Sequence, residues 1–258
     1  MKICWRHSPP LRLLLANFFT IATNPTDRPT CVNVSSCSCQ DFLVFGTASF
    51  DGHVVISDSS LLPPCLQLLR ERYSNLHLAL REDLTANLLS RLEGGQLDLA
   101  LIALPYETGN LMVEPLFDDD LWVVGGKNDP QLNARKVEIT PSLTDRLLLL
   151  EEGHCLRDHA LYACGASTGR STAGVEATSL LTLVQMIDSG LGIGLVPEIA
   201  IKSGLTESPT LVARPMAKPS PKRTIALVAR RSTTRLADLK ALSEVILKVG
   251  RRLGKTAH

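Results

Sequence analysis

Short apolar runs alternate with amphipathic segments over residues 54–104, and this alternation limits the possible folds more than any other feature. The pattern predicts strands at residues 54–56, 76–80 and 97–104 and helices at residues 61–73 and 84–92. The third strand is mostly apolar, as expected for a strand covered on both faces. This order is typical of an α/β domain with a parallel sheet and right-handed crossovers.

The same alternation of apolar runs and amphipathic segments continues to the end of the chain. It predicts further strands at residues 121–124, 147–150, 192–197 and 224–229, and helices at residues 179–189, 198–201 and 236–253. The last helix ends in Lys and Arg residues, which complement a helix C-terminus. The net charge is only +1, so the overall charge of the chain does not indicate strong electrostatic binding to nucleic acid.

A cysteine-containing segment follows the predicted strand 147–150. Two acids and a glycine turn the chain, and Cys155 then stands where a helix would begin, beside His154 and Arg157. A thiol at a helix N-terminus near cationic side chains has the surroundings that lower a cysteine pKa and favour a thiolate nucleophile. Asp158 in the first turn would oppose this effect.

Cys164 lies nine residues after Cys155. In one continuous helix the two residues would be roughly 13 Å apart along the axis, whereas a disulfide needs Cα atoms within about 7 Å. A bond between them would therefore require the segment to refold, as in a redox switch. The alternative is that both are unrelated buried small residues.

The run from Gly153 to Asp158, with a second cysteine at this spacing, resembles the redox segment of the peroxide-sensing (OxyR) subgroup of LysR-type transcriptional regulators. The runs at 97–100, 114–117, 177–180 and 190–197 also resemble LysR effector domains. The resemblance covers roughly residues 51–258. It implies a two-lobed α/β fold like that of type 2 periplasmic binding proteins, with a ligand cleft between the lobes.

The resemblance also implies a domain organisation. We expect lobe I to comprise residues 51–118 and 225–258, and lobe II, with the redox cysteines, to comprise residues 119–224. Residues 1–50 are unassigned: no winged helix-turn-helix is recognisable, and either a truncated N-terminus or a disordered extension fits the composition. A signal peptide is only faintly suggested, since Asn17 and Thr20 interrupt its apolar stretch.

Three further site residues follow from the resemblance. Thr85 aligns with a threonine that helps hold peroxide beside the reactive cysteine; the other interpretation is an ordinary helix cap. Arg223 aligns with an arginine near that cysteine, or is a solvated residue at a strand end. Ser57 stands where the family carries a threonine, and the following Asp58 adds a negative charge that would disfavour a nearby thiolate.

The implied function is redox sensing, not enzymatic catalysis. Cys155 would attack hydrogen peroxide while Thr85 and His154 position the leaving oxygen, and Cys164 would close a reversible disulfide. Arg157, Asp158 and Arg223 would tune the thiolate.

The expected partners follow from this role. They are hydrogen peroxide, a cellular thiol reductant, a second copy (dimer or tetramer) or an intact paralogue, and promoter DNA only if a DNA-binding domain is supplied. We expect no metal, no cofactor, no membrane contact and a cytoplasmic location. A small-molecule-responsive LysR effector domain and an exported solute-binding protein remain alternatives.

Overall fold

The structure is a computed structural model that describes residues 52–56, 61–73, 78–165 and 174–254. All of these lie in one compact unit, Leu43–His258. The expectations for residues 1–50 and for Ser57 and Asp58 lie outside the described residues. Among the described residues, no helix is long and apolar enough to cross a membrane.

Strands and helices alternate as predicted over the first half of the described chain. In chain order the elements are β1 (Gly52–Ile56), α1 (Leu62–Arg72), β2 (Leu78–Arg81), α2 (Thr85–Glu93), β3 (Leu99–Leu104), β4 (Met112–Gly126), a 3-10 helix (Pro130–Leu132), α3 (Pro141–Thr144), β5 (Leu149–Leu150), α4 (Cys155–Ala163), β6 (Glu176–Ala177), α5 (Leu180–Asp188), β7 (Gly194–Pro197), α6 (Glu198–Lys202), β8 (Leu211–Pro215), β9 (Lys222–Ala229) and α7 (Leu236–Gly254).

The main sheet is mixed, so the expectation of a parallel sheet is correct only for its first three strands. Strand β1 pairs in parallel with β2 and β3, but β3 pairs antiparallel with β9. Helices cover both faces of this part, here named the first lobe. Side chains of α1 and α7 pack against Leu99, Leu101 and Ala103, and side chains of α2 pack against Ala100 and Ile102.

Strand β4 continues from the first lobe into the second. It pairs with β9 from Met112 to Asp120, and from Leu121 onward with β7 and β8. The second lobe, as named here, consists of the end of β4, β7 and β8, the small β5–β6 sheet and the helices around them. The sequence predicted a strand only at residues 121–124, so the predicted start of β4 was wrong. The lobe boundaries near residues 118 and 225 stay a prediction.

The second lobe has its own core, built from leucine, isoleucine and valine side chains of β4, β5, β7 and α5. Strand β6 and helix α3 were missed in the sequence because they have only two and four residues, and strand β8 was missed as well. The predicted strand 147–150 is regular only at Leu149–Leu150, although Leu147 makes an isolated bridge to Ile193. These packing contacts hold the end of β5 and the start of α4 beside the first lobe.

Candidate functional site

A cleft of about 500 Å³ lies where the N-terminal ends of three helices meet. Helix α2 belongs to the first lobe and helices α4 and α5 belong to the second. The lining residues come mainly from the first turns of these helices and the loops before them: Glu82, Asp83, Leu84, Thr85, Leu150, Gly153, His154, Cys155, Leu156, Thr178, Ser179, Leu180 and Arg223. The partial positive charge of each helix N-terminus is therefore directed at one space.

Cys155 is the first residue of α4, as predicted, and it lines the cleft. The preceding His154 is extended, and Gly153 adopts a positive φ of 95°. A Cβ at Gly153 would lie 3.1 Å from the Leu84 side chain, so glycine permits the close approach of this loop to the start of α2. Cys155 is buried and packs with the hydrophobic core of the first lobe, although its helix belongs to the second.

Thr85 lines the same cleft, and the structure excludes the helix-cap interpretation. The N-cap of α2 is Leu84, whose backbone N–H donates to Asp83 Oδ1 at 2.9 Å. Thr85 is the first helical residue and is only 1% exposed, yet its Oγ1 has no hydrogen-bond partner. A buried hydroxyl without a partner costs about 1–3 kcal/mol. The fold thus keeps a hydrogen-bonding group unused at the cleft that contains Cys155.

Arg223 also lines the cleft, and it is buried, so it is not a solvated residue at a strand end. Its Nε and Nη2 donate to Asp119 Oδ2 at 2.9 and 2.8 Å, and the two side chains are 3% and 0% exposed. Asp119 Oδ1 accepts from the backbone N–H of Ile199 at 3.1 Å. The pair therefore joins β9, β4 and the start of α6, and it fixes the guanidinium beside the cleft.

Arg157 does not line the cleft. It is buried, and its Nη1 donates to the Leu150 carbonyl at 2.6 Å and to Glu176 Oε1 at 2.7 Å. These bonds tie the first turn of α4 to both strands of the small sheet. Asp158 is exposed, whereas His154 is half-buried and lines the cleft.

Cys164 caps the other end of α4. It is half-buried against the core of the second lobe, and burial raises the pKa of its thiol. Cys155 and Cys164 are both free. An intact helix separates them by nine residues, or roughly 13 Å along the axis. A disulfide between them would therefore require α4 to unwind.

His159 is a residue of the site region that the sequence analysis did not single out; both it and Tyr162 lie on α4. Tyr162 is 84% exposed, but His159 is buried. The Nδ1 atom of His159 has no hydrogen-bond partner, and its Nε2 lies 3.4 Å from the Pro105 carbonyl. The available signal was its spacing of four residues from Cys155, which places both on one helix face.

Burial lowers the pKa of His159 below its ordinary value of 6.5, with the Arg223 charge adding to the effect against the Pro105 carbonyl and Asp158. Because the folded state then binds fewer protons than the unfolded state, the stability linked to His159 is present above pH 6.5 and is lost as the pH falls towards the lowered value. We expect the free energy of unfolding of the reduced protein to decrease from about pH 7.5 to about pH 5.5. Urea denaturation at both values measures it.

The matched variant for this measurement is His159→Gln, which cannot titrate. Its free energy of unfolding should change less over the same pH interval. Hydrogen bonds from Lys222 and Thr224 lower the pKa of Asp118 below 3.8 against the effect of burial. At Asp129 burial raises the pKa, but the bonds from Arg146 and Gln131 outweigh it and the pKa is again below 3.8, so both carboxyls titrate at more acidic pH. An equally steep pH dependence in the variant would contradict the role assigned to His159.

Known proteins resemble this chain over most of its described length. The family model for the LysR substrate binding domain matches residues 52–251. The transcriptional regulator EstR of Acinetobacter baylyi is 36% identical over 77% of this chain and 64% of its own length. A probable hydrogen peroxide-inducible genes activator of Streptomyces viridosporus is 38% identical over 75% of this chain and 62% of its own. The chain thus spans about three fifths of the length of these curated relatives.

Solved structures agree with the two-lobed fold. The reduced regulatory domain of OxyR from Pseudomonas aeruginosa superimposes with a TM-score of 0.69 at 30% identity, over 77% of this chain and 95% of that domain. The predicted fold like that of periplasmic binding proteins is confirmed. The chain belongs to the family of LysR substrate-binding domains.

Proposed function

We propose that this chain is the peroxide-sensing regulatory part of a LysR-type transcriptional regulator, and that Cys155 is its reactive thiol. The proposal rests on one observation: Cys155, at the start of α4, and Thr85 line the same cleft. The buried Oγ1 of Thr85 has no hydrogen-bond partner there. A relative named as a hydrogen peroxide-inducible activator supports the choice of ligand. Because the chain spans only about three fifths of the length of these relatives, we propose binding to promoter DNA only where a DNA-binding domain is supplied.

The chemistry needs a thiolate and a hydrogen-bonding group for peroxide. The Cys155 thiolate attacks one peroxide oxygen, the O–O bond breaks, and the second oxygen leaves as hydroxide and takes up a proton. Sulfur is oxidised to sulfenic acid and the peroxide is reduced to water. Thr85 Oγ1 can donate to or accept from peroxide, and the first N–H groups of α2 and α4 are directed at the same cleft.

Cys164 resolves the sulfenic acid in this scheme. The Cys164 thiol gives up its proton and its sulfur attacks the sulfenic sulfur of Cys155. The S–O bond breaks, the leaving hydroxide takes up the proton and departs as water, and the new disulfide requires α4 to unwind. Closing this short loop costs the unwound segment roughly 3 kcal/mol of chain entropy, in addition to the lost helix and the lost bonds of Arg157 to Leu150 and Glu176. Cys155 must leave the first-lobe core, so oxidation would change how the two lobes contact each other and a second subunit. Arg157 thus stabilises the reduced state.

The remaining parts of the proposal follow from this role. A cellular thiol system reduces the disulfide and restores the starting state, and the protein acts as a regulator and not as an enzyme. The protein acts in the cytoplasm as a homo-oligomer or with an intact paralogue. A second candidate is an effector domain that binds a small organic molecule without thiol chemistry, since about 500 Å³ falls within the usual range for ligand sites.

The variant Thr85→Val tests the hydroxyl without changing the branched shape of the side chain. We expect oxidation of Cys155 by hydrogen peroxide to slow by roughly tenfold, the equivalent of one lost hydrogen bond in the transition state. The free energy of unfolding should stay equal or rise, because a buried hydroxyl without a partner is removed. Stopped-flow thiol loss and urea denaturation measure the two effects.

The conservative variant Thr85→Ser keeps the hydroxyl and should keep most of the rate. If Thr85→Val and Thr85→Ser both lower the free energy of unfolding and the rate of Cys155 oxidation, Thr85 packs the helix and has no part in binding peroxide.

The variant Cys164→Ser separates the two steps and tests the proposed function directly. Cys155 should then stop at the sulfenic acid, seen by mass spectrometry as one added oxygen that a sulfenic-acid-specific reagent captures. Thermal stabilisation by small organic ligands, with Cys155 unreactive towards peroxide, would instead support the second candidate.

A further inference from the structure

The cleft is much larger than the ligand in the proposed function. A water molecule occupies about 30 Å³ in the liquid, and hydrogen peroxide has one more oxygen atom, whereas the cleft measures about 500 Å³. Hydrogen peroxide at Thr85 and Cys155 would fill only a small part of this volume. The rest must be occupied by water or by a further part of a larger ligand.

The apolar wall of that remaining volume consists of leucine side chains from both lobes, and the polar residues His154, Thr178 and Ser179 line the cleft as well. Leu84 at the start of α2 and Leu180 at the start of α5 are half-buried, while Leu150 and Leu156 are buried beside Cys155. Water gains few hydrogen bonds against such a wall, whereas an alkyl or aryl group removes apolar surface from solvent there, at about 25 cal/mol per Å². The apolar wall and the free Thr85 hydroxyl thus lie in the same space.

The charges around the cleft favour a neutral ligand. Glu82 and Asp83 contribute carboxylates, and the guanidinium of Arg223 is already neutralised by Asp119. An organic carboxylate would be held by the helix N-termini but would meet two negative side chains. A neutral molecule with a hydrogen-bonding end and an apolar body avoids that repulsion and fits both parts of the lining.

We propose that neutral organic hydroperoxides are substrates of Cys155 in addition to hydrogen peroxide. The hydroperoxide group lies against Thr85 and Cys155, and the organic group lies against Leu84, Leu150 and Leu180. The thiolate attacks the terminal oxygen, the O–O bond breaks, and the alkoxide takes up a proton and leaves as an alcohol. Sulfur is oxidised to sulfenic acid, and the hydroperoxide supplies the oxygen and accepts the two electrons. The inference rests on the proposed function of Cys155.

The test compares cumene hydroperoxide with hydrogen peroxide as oxidants of Cys155 in the full chain. The second-order rate of thiol loss is measured for each, and their ratio is divided by the same ratio for free cysteine, which removes the intrinsic difference between the two oxidants. We expect the normalised ratio to exceed one by roughly tenfold, the scale of selectivity that an apolar pocket provides for additional apolar groups.

Two tryptophan variants localise the effect. Leu180→Trp fills the apolar part of the cleft and should lower the normalised ratio by at least about tenfold. Leu181→Trp is the matched control, because Leu181 is on the same helix, is exposed and does not line the cleft. It should leave both rates as in the wild type.

The outcomes distinguish this inference from the function on which it rests. If Cys155 reacts with hydrogen peroxide but the normalised ratio is one or lower, the organic hydroperoxide inference is wrong and the proposed function stands. If Cys155 reacts with neither oxidant, the proposed function fails. If Leu180→Trp leaves an elevated ratio unchanged, the leucine-lined cleft does not bind the organic group and the inference is overturned.

Discussion

Replacement of Cys155 by serine should remove the reaction of the described part of the chain with hydrogen peroxide, so that the rate of thiol loss summed over its cysteines falls by at least about a hundredfold. The remaining described thiols are poor nucleophiles. Burial raises the pKa of Cys65 to about 12 and raises that of Cys164 above 9.0. At pH 7 less than about 1% of either is thiolate. Stopped-flow oxidation with mass mapping of each cysteine measures the effect.

The matched control is Cys65→Ala. Cys65 belongs to the same hydrophobic core as Cys155 and is also buried, but it does not line the cleft. Its replacement should leave the rate of Cys155 oxidation unchanged while lowering stability slightly through the lost packing. Fast thiol loss at Cys164 or Cys65 in Cys155→Ser would show that the start of α4 is not the reactive site.

Replacement of Asp119 by alanine should lower the free energy of unfolding by about 3–5 kcal/mol, the usual cost when one partner of a buried ion pair is removed. The Arg223 guanidinium would remain buried without its carboxylate, and the Ile199 N–H would lose its acceptor. Urea denaturation of the reduced protein measures the loss. Arg223 would also lose the bonds that fix it beside the cleft, so slower oxidation of Cys155 should accompany the loss of stability.

Asp118 provides the control for this prediction at the next position of the strand. It accepts from Lys222 Nζ at 2.5 Å and from Thr224 Oγ1 at 2.8 Å, but both charged side chains are about half exposed. Asp118→Ala should therefore cost less than about 1 kcal/mol. Equal losses in the two variants would contradict the assignment of Asp119 and Arg223 as the buried connection of β9, β4 and the start of α6.

The alternation of apolar runs and amphipathic helices was sufficient to predict most of the first lobe, because each of its elements buries one regular pattern. The start of β4 was missed because three consecutive acids, residues 118–120, do not look like a buried strand. Two of the three are accommodated because Lys222, Arg223 and Thr224 on β9 pair with Asp118 and Asp119 across 104 or more positions of sequence. A sequence pattern does not contain such distant pairings.

Local sequence patterns likewise predicted only part of the candidate site. Thr85 and Cys155 each follow a strand and begin a helix, so local patterns place both at an edge of the fold where ligands bind in α/β sheets. That Thr85 Oγ1 lacks a partner, and that Arg157 bonds to Leu150 and Glu176, depends on packing between elements. The burial of His159 likewise depends on the loop after β3, which contains Pro105.

Mass mapping of the wild-type protein after one equivalent of hydrogen peroxide tests the central claim most directly. We expect a peptide in which Cys155 and Cys164 are joined by a disulfide, reversal of that disulfide by a dithiol, and a free thiol at Cys65. If Cys155 and Cys164 both stay free thiols after this treatment, the chain keeps the fold of a LysR substrate-binding domain but does not sense peroxide through α4.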